Sequence, residues 1–429
     1  MGAARSLSRL WKNYHERMPL TRRQIFRRRR LAVFGLSTLV VAICLYLPFT
    51  LLAPLAPAEA RVLPYAGQTQ PAAQLGWPGY GASAIGAIGY QGTLATSGSI
   101  DPLPIASISK IVTALVVLET KPLTAGQDGP TVTFTAANAA LYGKYVALKG
   151  KVEPMKAGSS LSQLDFMRVT LISSANNYAA ALADWAYGSE PAFIRAAQAW
   201  LRAHGLNRTT LIEPTGMSSG NTSTASDLVA IGKLALANPV IASIVSTRTL
   251  SLPQVGELQN TNDLLGLDGV EGIKTGTLDE AGACLLFASK HQIGSQTVTI
   301  VGAVLGGVDH KSLDAAVRSL LKDVRAGFHE VTLARIGQVF VSFSTPWRDD
   351  ADAVATKNVS ALVWSNTPII AIVDANDVRL ARKATRVGAV TFTVGTQTVT
   401  VPLALDHNVE DPGPWWRLGN PFALLPSSG

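Results

Sequence analysis

Three short groups of residues carry side chains suited to acyl transfer. The first is Ser107-Ile-Ser-Lys110, inside the run IASISKIVTALVVLE at 105–119. A serine and a lysine three apart share one face of a helix. A neutral serine is a poor nucleophile and needs a base within hydrogen-bond reach. Lys110 meets that need only if its pKa falls well below the usual lysine value. The apolar helix around it disfavours the charged form, and a second cation such as Lys274 acts in the same direction. The second group is Ser174-Ala-Asn176, between two apolar helical runs. The third is Lys274-Thr275-Gly276, followed by Thr277, where strand character begins. The plain alternative for the first group is an N-cap serine with a lysine snorkelling to solvent.

Spacing alone is weak. S-x-x-K recurs at Ser319-Leu-Leu-Lys322 and S-x-N at Ser219-Gly-Asn221, whereas K-T-G occurs once. Setting separates the copies. Ser107 opens its helix, where the partial positive charge of the N-terminus favours an alkoxide, and Ser319 sits near a helix C-terminus. Ser219-Gly-Asn221 lies in MSSGNTSTAS and reads as turn or cap chemistry. None of the six histidines falls in these groups, which argues against a Ser-His-Asp triad. His15-Glu16 and His329-Glu330 lack the second histidine of H-E-x-x-H, so neither a metal nor another cofactor is expected. Cys284, in ACLLFAS, reads as a buried strand thiol. With Cys44 in the apolar N-terminal run, no internal disulfide is expected.

The elements that must position these groups follow from the rest of the chain. Of 429 residues, the first 30 hold ten Arg/Lys and one Glu. The formal charge of +8 is therefore +9 there and −1 in the remainder, which leaves no basic face for nucleic acid. Residues 1–30 read as a basic cytoplasmic segment and 31–56 as a transmembrane anchor. Ala58-Glu59-Ala60 keeps a cleaved signal sequence as the rival. Residues 57–80, rich in Pro, Ala, Gly and Gln, read as a linker. ASAIGAIGY and GTLATSG follow as a hairpin. Helical runs then dominate to Pro239, including one that ends at Gly188 and one framed by Pro191 and Gly205. Strand character returns through VTIVGAVLG, and DHKSLDAAVRSLLKDVRAG is amphipathic with Leu313, Val317, Leu320 and Val324 inward. The pattern predicts an α+β domain over 81–328, its antiparallel sheet collecting the first and last segments around a helical cluster. A small all-β domain over 329–410 and a tail over 411–429 complete the chain. In the tail, Trp415-Trp416-Arg417 is read as packing back on the β domain, with a membrane-surface foot as the other placement.

The order Ser107-x-x-Lys110, Ser174-x-Asn176, Lys274-Thr-Gly276 resembles the S-x-x-K, S-D-N, K-T-G set of penicillin-binding proteins and class A β-lactamases, with Ala175 at the middle position. PIASISKIVTALVVLE, LISSANNYAAALAD, EPTGM and VEGIKTGTLDEAGACLL look like the serine D-alanyl-D-alanine carboxypeptidases, the low-molecular-mass penicillin-binding proteins, over about residues 80–327. The resemblance implies a β-lactamase/transpeptidase-like fold and an acyl-enzyme on Ser107. The implied substrate is a peptidoglycan stem peptide ending in D-Ala-D-Ala, and β-lactam antibiotics would be covalent inhibitors. It implies Lys110 as base, Ser174 as proton relay and Asn176 as a holder of the substrate amide. Lys274, Thr275, Gly276 and Thr277 would bind substrate, and the backbone N–H groups of Ser107 and Thr277 would form the oxyanion hole. The implied location is the cytoplasmic membrane, with the catalytic domain outside, or secretion if residues 1–60 are removed. Two positions depart from the pattern: Glu213 before Pro-Thr-Gly, and Thr277-Leu278 after K-T-G. A β-lactamase and an inactive wall-binding sensor are the rivals, and transpeptidation on the same site stays open.

Overall fold

The computed structural model describes residues 21–424; His15-Glu16, most of the basic segment and the last five residues lie outside them. A helix runs from Arg22 to Leu51. It starts inside the basic block rather than after it, because Thr21 supplies an N-cap: Gln24 N donates to Thr21 Oγ1 and Thr21 N donates to Gln24 Oε1 at 3.0 Å. Arginine is a good helix former, so nothing in RRRR interrupts the run. The helix is long and apolar enough to cross a membrane, and the protein buries almost none of its length.

The expected linker is partly a strand. Glu59–Val62 pairs with Val339–Ser344 at the edge of a six-stranded antiparallel sheet. Ala58 N donates to Val378 O at 2.6 Å, and Ala58 is buried in that sheet's core. The hairpin Arg386–Val394/Gln397–Leu405 turns at Gly395-Thr396, as its alternation predicts. Strand Ala351–Ala355, which carries no strong β pattern, completes the sheet between its neighbours.

The α+β part has a five-stranded antiparallel sheet. Its order is Val270–Leu278, Gly282–Ile293, Gln296–Gly307, Ala82–Ala87, Ala95–Gly98, so first and last segments meet and Val270–Leu278 is an edge. One face packs on the helical cluster. The other packs on His310–Ala326, whose Leu313, Val317, Leu320 and Val324 are all buried. That second core also takes in Phe328, Leu362 and Trp364. The strand Phe328–Ala334 pairs with Val359–Trp364, so the border expected at 329 falls inside a strand that ties the two sheets together. Gly188, at φ 78°, closes helix Asn176–Tyr187 as its left-handed cap. Helices Ala136–Ala147 and Pro239–Val245 have no counterpart in the sequence reading; Asn238 caps the latter, so Pro239 starts a helix as well as ending one.

Candidate active site

Ser107 stands in a single 3-10 turn, Ala106–Ile108, that feeds directly into helix Ser109–Thr120. The expectation that Ser107 opens the α-helix is off by this turn. Ala106 adopts φ 46° there. Two glycines make the turn fit. A Cβ on Gly216 (φ +86°) would come within 2.0 Å of Ala106 O, and one on Gly276 within 2.8 Å of Ile105 O and 3.2 Å of Ser107 N. Gly276 is therefore required by the serine's own backbone, a nearer cause than the approach of a substrate strand that the sequence suggested.

Lys110 is wholly buried one turn on. Its Nζ donates to Ser107 Oγ at 2.9 Å, Asn176 Oδ1 at 2.6 Å and Thr215 O at 2.5 Å. Three acceptors match the three protons of an ammonium. When one proton leaves, Asn176 and Thr215 keep two, and the lone pair is left toward Ser107. Burial pushes the Lys110 pKa down to about 7; Glu213 opposes this and Lys151 adds to it. Lys151 on the cleft rim is a further cation acting on Lys110, beside the expected Lys274, whose repulsion with Lys110 is mutual. Lys274 is also buried, and its pKa is held well below the lysine range by burial, then by Lys110 and Lys151. Its Nζ reaches only Thr261 Oγ1 at 3.3 Å and Thr275 O at 3.2 Å.

Ser174 lies in the turn between helices Gln163–Ile172 and Asn176–Tyr187, with φ 63°. Asn176 begins the second helix, and its N–H donates to Lys151 O at 2.7 Å. Ala175 is buried in the helical core, so the position where an acid is usual faces away from the cleft. Glu213 is a loop fastener. Its carboxylate accepts from Thr215 N at 2.7 Å, Thr215 Oγ1 at 2.6 Å, Gly216 N at 2.6 Å and Asn221 Nδ2 at 2.9 Å. The fastened loop presents Thr215 O to Lys110. Buried Asn221, from the second S-x-N, donates to Ser109 Oγ at 3.0 Å and accepts from Ile212 N at 2.8 Å, so it braces the loop in place of capping a helix. Ser319 and Lys322 lie exposed on the distal helix. The Cys284 thiol is buried and raised to about 11.

These groups converge on one cleft of about 550 Å³. Ser107, Ser174, Asn176, Thr275, Gly276 and Thr277 line it, with Lys149, Lys151, Met217 and His310. Thr261 and His310 carry no motif. Thr261 Oγ1 lies 2.5 Å from Thr275 Oγ1, and His310 Nε2 lies 2.7 Å from Thr277 Oγ1. A histidine therefore does reach the cleft, through the fold rather than through a motif.

A profile of the D-alanyl-D-alanine carboxypeptidase family matches residues 92–306, half of the chain. The chain belongs to this family. It is 34% identical over 194 residues to a D-alanyl-D-alanine endopeptidase of Escherichia coli K12; the match takes in 43% of this chain and 58% of the relative. It is 28% identical to the D-alanyl-D-alanine carboxypeptidase DacA of the same organism, over 58% of this chain and 60% of that one. The chain thus spans somewhat more than half the length of these relatives. Penicillin-binding protein 5 of Haemophilus influenzae superposes with a TM-score of 0.55 at 18% identity, over 82% of this chain and 100% of that one. The likeness establishes the β-lactamase/transpeptidase-like fold with a C-terminal all-β region. A Streptomyces K15 DD-transpeptidase superposes at 0.51 with 26% identity, over 56% of this chain and 96% of that one.

Proposed function

We propose that the chain is a serine-type D-alanyl-D-alanine carboxypeptidase acting on peptidoglycan stem peptides and inhibited covalently by penicillins. The observation that carries this is the amine of Lys110, 2.9 Å from Ser107 Oγ and lowered to about 7 by burial. Neutral Lys110 takes the Ser107 proton as Oγ attacks the carbonyl carbon of the penultimate D-alanine. The developing oxyanion accepts from the N–H groups of Ser107 and Thr277. The C–N bond breaks, the proton held by Lys110 passes through the Ser174 hydroxyl to the departing amine so that Ser174 ends protonated, and terminal D-alanine leaves. Water then hydrolyses the ester and Ser107 regains its proton. Asn176 keeps Lys110 aimed, and its amide nitrogen is left for the substrate. Lys274 regains full charge when the terminal carboxylate arrives, with Thr275 and Thr277 donating alongside. The edge strand Val270–Leu278 takes the substrate backbone as an added strand.

Glu213 supports a carboxypeptidase over a β-lactamase: both of its oxygens are occupied by the loop it fastens. A second reading, cleavage of an internal D-alanyl bond, is favoured by the 34% identity to an endopeptidase. It uses the same acyl-enzyme, with a larger leaving amine. The apolar helix Arg22–Leu51 anchors the domain outside the cytoplasmic membrane. Ala58-Glu59-Ala60, built into the sheet, supports a retained anchor.

Mass spectrometry after incubation with benzylpenicillin tests the proposal. The expected result is a long-lived adduct on the Ser107 peptide, absent in Ser107→Ala. An adduct elsewhere, or rapid penicillin turnover, contradicts it. Free D-alanine from a D-Ala-D-Ala pentapeptide against cleavage of a cross-linked dimer separates the two peptidase readings.

A further inference from the structure

Helix His310–Ala326 serves the cleft with its first residue and a second concavity with its last turns. His310 lines the cleft, Nε2 2.7 Å from Thr277 Oγ1. Arg318, Lys322 and Arg325 follow on one face of the helix. At 1.5 Å per residue they lie about 12, 18 and 22 Å farther along its axis. There they line a groove of about 980 Å³. Asp268, just ahead of the edge strand Val270–Leu278, and Lys290 and His291, on strand Gly282–Ile293, line it as well.

Four cations and one acid face this groove, whereas the chain after residue 30 sums to −1. Arg318 Nε donates to Asp268 Oδ2 at 2.5 Å. Lys290, Lys322 and Arg325 are exposed, and among the described residues none of them stands in an ion pair. The nearby acids are turned elsewhere: Asp323 accepts from Gly76 N, and Glu330 accepts from Ser295 and Ser360. Lys322 has Arg318 four residues before it and Arg325 three after. Ser319 and Ala326 stand at the two spacings where an acid would relieve it. Like charges so placed oppose the helix. Burial and then Arg325 hold the His291 pKa below its usual value, against Asp268. Positive charge gathered from a helix and a strand onto one concave surface favours an anionic occupant. The Ser319/Lys322 pair, unused by the chemistry, belongs to this surface.

The occupant follows from the cleft on the same helix. That cleft takes a peptide ending in a carboxylate, and a peptidoglycan strand carries many such peptides. Guanidinium and ammonium groups hold carboxylates, and Arg318 already holds that of Asp268. We propose that the groove is an exosite for the substrate polymer: Lys290, Lys322 and Arg325 hold the terminal carboxylate of a neighbouring stem peptide while the cleft works on another. This rests on the reading of the cleft as a D-Ala-D-Ala carboxypeptidase. No bond is made or broken in the groove. It raises the local concentration of stems, and so favours polymer over free peptide.

The test uses the full chain in non-ionic micelles and reads D-alanine released per stem. One substrate is a soluble pentapeptide ending in D-Ala-D-Ala. The other is un-cross-linked glycan strands carrying the same pentapeptide. For wild type we expect kcat/KM on the strands to exceed that on the peptide by about 10-fold or more in low salt, and the excess to shrink at about 0.3 M salt. Lys322→Gln/Arg325→Gln should act on the strands no faster per stem than on the peptide, with the peptide rate at its wild-type value. Polyglutamate should erase the excess in wild type and leave the peptide rate alone. An excess that survives in the variant, or no excess in wild type, overturns the exosite. Competition by poly(glycerol phosphate) but not by polyglutamate overturns the carboxylate occupant in favour of a phosphodiester chain. Wild type that releases D-alanine from neither substrate removes the carboxypeptidase reading, and the exosite with it.

Discussion

Lys110 and Arg417 are both cations almost out of solvent, and the protein treats them in opposite ways. Arg417 faces the paired oxygens of Asp411, which hold its charge in place. Lys110 has three oxygen acceptors and no carboxylate at hydrogen-bond distance. Glu213 sits one step behind, its charge shared among the donors of its own loop. A paired cation keeps its proton and holds structure. A buried amine with neutral acceptors gives its proton up near neutral pH, which is what a base must do. Lys274 repeats the second arrangement on the edge strand, its amine meeting only the neutral oxygens Thr261 Oγ1 and Thr275 O among the described residues, so the cleft holds two such amines.

The comparison breaks most visibly at Lys110 itself. Lys110→Ala should slow acylation of Ser107 by penicillin roughly 10²- to 10⁴-fold, read by stopped-flow with a chromogenic β-lactam. Next is the frame. Gly276→Ala puts a methyl group against Ile105 O and the Ser107 amide, and the serine turn must shift. Acylation should fall about 10²-fold with circular dichroism unchanged. At the other end, Asp411→Ala leaves Arg417 unpaired. It should lower the Tm of the protein by about 2–4 °C while acylation by a soluble β-lactam stays at the wild-type rate. The smallest effect sharpens the electrostatics: Lys151→Met removes a charge that lowers Lys110. The acylation midpoint should move up in pH by less than about one unit.

The depressed amine also has a sign in stability. Lys110 titrates near 7 folded and at 10.5 when exposed, so between those values the unfolded chain binds the extra proton. Stability should therefore rise from pH 7 toward 10, and denaturant titrations of Lys110→Met should show a shallower rise.

Much of the site was legible because its groups are local. Ser107 and Lys110 need only one helical turn, and an apolar helix explains why the pKa of its one amine is lowered. The decoy pair Ser319/Lys322 could be set aside from its place near a helix end. Thr261, His310 and Lys151 were not legible, because loops and a helix start bring them in across the fold with no spacing rule. Gly276 was visible but its reason was not, since the clash it avoids is with a backbone 170 residues earlier. In the fold, alternating strands such as Arg386–Val394 announced themselves. Glu59–Val62 did not: four exposed residues at a sheet edge have no buried face to impose a period. The N-terminal helix was found from its apolar run, but its start at Thr21 depended on a cap that the arginines obscured.

The most direct measurement is the rate of Ser107 acylation by a β-lactam against pH from 5 to 10, in wild type and in Lys110→Ala. A single rising limb with a midpoint near 7, lost in the variant, is the predicted result. A limb near the ordinary lysine pKa, or the same limb surviving without Lys110, would contradict the account.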